Sequence, residues 1–218
     1  MLRTIATLSL VGALTAPTTA DALDLTGVEI GLDTGRTSVA DGNFLLFDDH
    51  LSALNSSGLR VTVPLDDDDR LAVVGAIAHG ARGATTEIYG GSDWEDEYTE
   101  FRSAIFNDRL SAGARYTVIS NRFKVYGVGQ VHGLRSVVRL DDDPVHDDNA
   151  TQIERAAITA GVSADVGISM DVPLNALTVT PLGWFEMGYN VFLPSQYDDL
   201  GKLNLSGLSM RMGVGIKF

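Results

Sequence analysis

The sequence predicts an all-β chain, an eight-stranded antiparallel up-and-down transmembrane β-barrel, on three observations. Eight segments of roughly 10 residues alternate apolar and polar side chains with the period of two that belongs to strands. The connections between them alternate between short and long. The most regular segment is the last, in which Leu208, Met210, Met212, Val214, Ile216 and Phe218 form one apolar row against Ser209, Arg211, Gly213, Gly215 and Lys217.

The other segments follow in order. The first strand reads from Leu25 to Asp33, with Val28, Ile30 and Leu32 outward and Glu29 and Gly31 inward; a long polar stretch, Thr34 to Ser57, follows it and is interrupted by Phe44 to Phe47. The second carries Leu59, Val61, Val63 and Leu65 against Arg60 and Thr62, and Asp66 to Asp69 make a tight turn. The third, Leu71 to Tyr89, begins apolar on both phases, so alternation assigns it no faces. Gly90 to Thr99 reads as a loop, after which the fourth strand sets Ala104, Phe106, Leu110, Ala112, Ala114, Tyr116 and Val118 outward against Asn107, Arg109, Ser111, Gly113, Arg115 and Thr117. Asp108 breaks that outward row, near the loop end. Ser120 to Arg122 turn into the fifth strand, which starts at Phe123 and turns Lys124, Tyr126, Gln130 and His132 inward before an aspartate-dense loop from Leu140 to Thr151. The sixth has an entirely apolar outward row from Ile158 to Met170, and Asp171 to Ala176 turn the chain with Pro173 and Asn175. The seventh sets Leu177, Val179, Pro181, Phe185, Met187, Tyr189 and Val191 against Thr178, Thr180, Trp184, Glu186 and Asn190; Pro181 is its flaw, because proline removes a ladder donor.

Met1 to Ala22 has the form of a secretory signal: Arg3, an apolar run from Ile5 to Ala16, and an A-x-A site at Ala20-Asp21-Ala22. Two regions are therefore expected, a signal peptide over 1–22 and a barrel over 23–218. Cys 0 excludes disulfides and thiolate metal sites. A net charge of −13 argues against nucleic-acid binding, which requires basic patches to neutralise phosphates.

An alternating strand that closes on a terminal phenylalanine, within this layout of loops, resembles bacterial outer-membrane β-barrel proteins of the small eight-stranded type, such as the OmpA transmembrane domain, OmpX and OmpW. The resemblance lies in pattern and terminus, not in a residue motif. It implies a Gram-negative outer-membrane location with periplasmic termini and extracellular long loops, and a monomer surrounded by outer-membrane lipid and lipopolysaccharide. It further implies that the barrel-insertion machinery reads Phe218 as an assembly signal. Soluble up-and-down barrels such as lipocalins carry the opposite polarity, apolar within and polar without; the small hydrophilic inner phases here favour the membrane form.

Chemistry is less legible. The acid runs Asp66 to Asp69 and Asp141 to Asp143, with Asp147 and Asp148, lack the glycine and glutamate of an EF-hand loop and read as solvated turns. His50-Leu51-Ser52 is a poor match to the H-x-S pair of an outer-membrane lipid A deacylase. His132 reads as a lumen residue held by hydrogen bonds. No nucleophile elbow, phosphate loop or HExxH motif occurs, so neither cofactor nor metal is expected. The leading expectation is a non-enzymatic barrel with an envelope-stabilising or loop-mediated recognition role, and the alternatives are a small-solute channel or a lipid A-modifying enzyme. Counted from the strand ends, inward Glu29, Arg60 and Arg211 are expected at similar depth, with Arg211 and Arg60 on either side of Glu29 and Glu186 somewhat higher beside Arg211; the four form a charge network that plugs the lumen, since unpaired buried charges are costly.

Overall fold

The computed structural model describes residues 25–39, 41, 53–66, 68, 70–89, 98–142, 152–173, 178–198 and 201–218. The expected signal segment, His50, Ser52, Phe44 to Phe47, His146, Asp147 and Asp148 lie outside the described residues. In chain order the strands are β1 (Glu29–Val39), β2 (Ala53–Pro64), β3 (Leu71–Tyr89), β4 (Tyr98–Ser120), β5 (Phe123–Asp142), β6 (Gln152–Asp171), β7 (Thr180–Phe192), the short β8 (Ser195–Gln196) and β9 (Lys202–Leu203), and β10 (Gly207–Lys217). Eight of them close a barrel in the order β1-β10-β7-β6-β5-β4-β3-β2, and β8 with β9 forms a separate two-stranded sheet. All the barrel pairings are antiparallel, and the seam runs from Glu29 opposite Lys217 to Val39 opposite Gly207. Backbone bonds beyond the ladder finish the seam: Gly27 N donates to Phe218 O at 2.7 Å and Phe218 N to Val28 O at 3.0 Å. Closure gives every barrel strand a ladder on both sides over the shared span, the condition for a sheet to stand in hydrocarbon; beyond that span, among the described residues, β3 past His79 and β6 before Gly161 pair on one side only.

The two faces are sorted by the strand period. Leu32, Leu110, Val131, Ile158, Val166 and Val214 are more than half exposed on the outside, whereas Glu29, Arg60, Arg115, Asp165, Glu186 and Arg211 are buried inside. That is the reverse of a soluble barrel and the polarity of one whose exterior solvent is lipid. The faces of β3, which alternation leaves open, are settled: Leu71, Val73 and Ile77 point out, and Ala72 and Val74 are fully buried, Val74 packing against Tyr126 and Val128.

Strand ends differ from the sequence expectation, mostly by being longer. β1 runs on to Val39 and β2 starts at Ala53, so much of the expected polar loop is ladder. Thr34, Arg36 and Ser38 on the outward phase are polar, which erases alternation while the hydrogen bonding continues. At the other end β1 starts at Glu29 and not at Leu25, preceded by a turn with Gly27 at φ 81°. β4 begins at Tyr98, within the expected loop. β7 begins at Thr180, so Pro181 stands at the strand's start, where a missing donor is tolerated; Leu177 lies outside the described residues.

Glycine makes room for lumen aromatics. Trp184 on β7 lies opposite Gly213 on β10, and a Cβ on Gly213 would run into its indole ring. Tyr126 on β5 covers Gly167 on β6 in the same way. An aromatic ring laid over a neighbouring glycine fills the narrow interior and shields the backbone there.

At the end of the barrel opposite the short turns, the inward phase becomes apolar. Leu54, Ile105, Leu134, Val138, Ala157 and Phe192 form a buried cluster there with Tyr197, Leu203 and Leu205 from the segment after β7. This segment is pinned: Tyr197 Oη and Ser136 Oγ share a 2.5 Å hydrogen bond, Phe192 N donates to Ser206 Oγ at 2.9 Å, and Thr159 Oγ1 to Leu193 O at 2.7 Å. The β8–β9 segment is thus an inward cap, an element that no alternation signalled.

Candidate functional site

The lumen carries the densest chemistry of the fold, in two charged layers beneath the cap. The layer nearest the short turns centres on Glu29. Arg115 donates to it through Nη1 to Oε2 at 2.5 Å and Nη2 to Oε1 at 3.0 Å, the parallel fork that arginine makes with carboxylates. Lys124 Nζ stands 3.7 Å from Glu29 Oε1 and 3.2 Å from Asp171 Oδ2. The next layer centres on Glu186. Arg60 Nη1 donates to its Oε1 at 2.5 Å, and Arg211 Nη2 lies 3.4 Å from its Oε2. Arg211 Nη2 also donates to Asp165 Oδ2 at 2.7 Å and its Nη1 to Gln130 Oε1 at 2.9 Å, while Ser163 and Ser209 each donate to Asp165. Guanidinium groups further stack on rings, Arg60 over Trp184 at 5.6 Å and Arg115 over Tyr126 at 5.3 Å.

The four residues singled out by sequence all point into the lumen, but not as one cluster. Arg60, Glu186 and Arg211 meet; Glu29 does not join them. The expected juxtaposition of Glu29 with Arg211 and Arg60 is corrected by the register: Gly35 stands opposite Arg211 and Gly31 opposite Arg60, while Glu29 faces Lys217 and Thr62. Depth does not follow residue number from the expected strand ends, because β1 starts at Glu29 itself, placing that carboxylate at the base, and because barrel closure staggers the strands. The partners it takes instead, Arg115 and Lys124, and the Asp165 that completes the upper layer all lie on polar phases visible in the sequence. Phe218 is 38% exposed at the seam.

The lumen voids given by the described residues are small. A void lined by Glu29, Arg60, Arg115, Tyr126 and Trp184 measures about 10 Å³, and one lined by Asn107, Arg109, Leu134 and Phe192 about 20 Å³, each room for about one water. His132 is buried between the layers and the cap, its Nδ1 bonded to Ser111 Oγ at 2.8 Å. Asp66 accepts from the backbone N–H of Arg70 at 2.7 Å and of Leu71 at 3.1 Å, and Asp141 from Gln152 Nε2 at 2.8 Å. Among the described residues no group of acids and histidines is arranged to hold a metal ion.

Fold and lumen together define the class, a side-chain-filled transmembrane β-barrel of the outer-membrane type. No protein-family model and no curated protein matches the chain. Among solved structures it is similar to Ail, the attachment invasion locus protein of Yersinia pestis, at 14% identity and a TM-score of 0.45, covering 88% of this chain and 97% of that one. It is similar to Neisserial surface protein A at 16% identity and a TM-score of 0.43, covering 88% and 98%. A major outer membrane protein from Thermus thermophilus aligns at 14% identity and a TM-score of 0.47, covering 88% and 99%.

Proposed function

We propose that the protein is a closed, non-enzymatic barrel of the outer membrane, with its termini and short turns in the periplasm and its long connections outside. It stabilises the envelope and holds the outer loops for recognition; it does not pass solutes. The observation that carries this reading is the continuous filling of the lumen, from Glu29 with Arg115 and Lys124, through Arg60, Glu186, Arg211 and Asp165, to the apolar cap around Tyr197. An eight-stranded barrel is just wide enough for side chains to fill, whereas open porins use about sixteen to eighteen strands. The orientation follows the general pairing of short turns with the periplasm and longer loops with the exterior. Lipopolysaccharide and outer-leaflet lipid are the surroundings this reading implies.

Single-channel recording on the refolded protein in planar bilayers tests it. The expected record has no stable conductance, and a stable, large one overturns the reading. Fractionation tests the location: recovery as a soluble protein without detergent is incompatible with it.

A further inference from the structure

On the lipid-facing side, one row of outward residues crosses five strands: Thr34 is opposite Ser57, Ser57 opposite His79, His79 opposite Asp108, and Asp108 opposite Arg135. Three of these are ionisable and interact. Asp108 accepts from His79 Nδ1 through Oδ1 at 2.7 Å and from Arg135 Nη1 through Oδ2 at 3.2 Å. They stand in the open, with side chains 65%, 52% and 56% exposed for His79, Asp108 and Arg135. Ionised groups on the lipid face of a barrel are costly unless they sit at the interface or meet something polar there. The row does lie at a boundary on the first two strands, since the next outward residues on one side are Leu32 and Leu59, and on the other Arg36 and Asn55.

Directly beside the charged trio the wall is concave. A groove of about 630 Å³ is lined by Leu59, Ile77, Leu110, Ile158 and Gly133, with His79, Asp108 and Arg135 along its rim. That volume is in the range of small-ligand sites. Gly133 leaves open space where a side chain would stand. The surface is therefore amphipathic on the scale of one lipid, an apolar trough that ends at an arginine and a histidine held side by side by a common carboxylate.

We propose that this groove binds one phosphate-bearing acylated lipid of the surrounding leaflet, with an acyl chain over Gly133 between Leu110 and Ile158, the phosphate at Arg135 and a headgroup hydroxyl at His79. Arginine offers several N–H groups in a planar fork suited to phosphate oxygens, and only one of its terminal nitrogens is engaged by Asp108. With Nδ1–H given to Asp108, Nε2 of the neutral His79 ring is an acceptor and takes a hydroxyl of the headgroup, leaving the phosphate oxygens to Arg135. Asp108 acts as a positioning residue, holding both side chains beside the groove. The inference rests on the membrane-spanning reading and gives it a specific lipid site.

Native mass spectrometry of the detergent-solubilised protein tests it, with phosphatidylglycerol and a diacylglycerol of the same chains as probes. The wild type is expected to retain one phosphatidylglycerol at least tenfold more than diacylglycerol. Replacing both headgroup contacts, Arg135→Gln with His79→Gln, should abolish that preference, and Gly133→Ile should lower retention of both lipids by filling the trough. Equal retention of the two lipids by the wild type, or an unchanged preference in the double variant, overturns the site. Gel mobility before and after boiling separates the two levels: a heat-shifted barrel without lipid preference removes this inference alone, whereas failure to form a barrel in detergent removes the membrane reading with it.

Discussion

Arg60 on β2 and Glu186 on β7, 126 residues apart in the chain, meet across the lumen at 2.5 Å with their side chains 6% and 0% exposed. No ladder bond joins their strands; β1 and β10 stand between them. The pair therefore ties strands that are not neighbours together through the interior. Removing one partner leaves the other charge buried. Glu186→Gln is expected to lower unfolding stability in detergent by about 3 kcal/mol, read as a shifted denaturant midpoint. A shift within error would mean that lumen water already satisfies Arg60.

The lower layer should respond in concert with the upper one. Arg115→Ala breaks the fork to Glu29 and removes the guanidinium stacked on Tyr126, whose phenol in turn interacts with Glu186, so its effect and that of Glu186→Gln should depart from additivity by about 0.5–3 kcal/mol, as for sites that share a partner. A double-mutant cycle measures this. Strict additivity would make the two layers independent.

Glycine positions make a contrast within one fold. Gly213→Ala pushes a methyl group into the Trp184 ring and should cost about 1–3 kcal/mol as overpacking, with a change in Trp184 fluorescence. Gly129→Ala, on the outer face with open space around it, should be tolerated. Equal penalties would show that the indole simply moves aside.

The cap has its own test. Tyr197→Phe removes the hydroxyl bonded to Ser136, a serine with no exposed surface, and should cost about 1–3 kcal/mol for the group left unsatisfied. Faster proteolysis of the 193–206 segment, with the barrel's heat-shifted gel mobility unchanged, is the expected signature.

Alkaline pH should act on the same residue. Burial raises the Tyr197 phenol above its ordinary pKa, against the opposing effect of hydrogen bonds to Ser136 and Ser195. A folded pKa above the unfolded one means the cap's contribution is whole below about pH 10 and is lost as pH rises through the folded value. Titrating phenolate absorbance in the wild type and in Tyr197→Phe isolates this group; a difference titrating at or below the ordinary value would contradict a buried phenol.

Much of the architecture is written locally. Lipid outside and water or charge inside impose their demand residue by residue with the strand period, so the closing row from Leu208 to Ile216 and the inward Arg60, Glu186 and Arg211 are legible without knowing any partner. Where both phases share a character the signal vanishes: the apolar start of β3 and the polar upper half of β1 needed the ladder itself to assign them. Which inward charge meets which could not be read along the chain. Depth depends on where each strand begins and on the stagger that closure imposes, and a β1 that starts at Glu29 and not at Leu25 is enough to give Glu29 other partners. The cap is invisible for a different reason, because Tyr197, Leu203 and Leu205 carry no period and gain meaning only once Ile105, Leu134 and Val138 surround them. The outward trio is similar: Asp108 reads in sequence as a lone break in an apolar row, and only the cross-strand register brings His79 and Arg135 to its two oxygens.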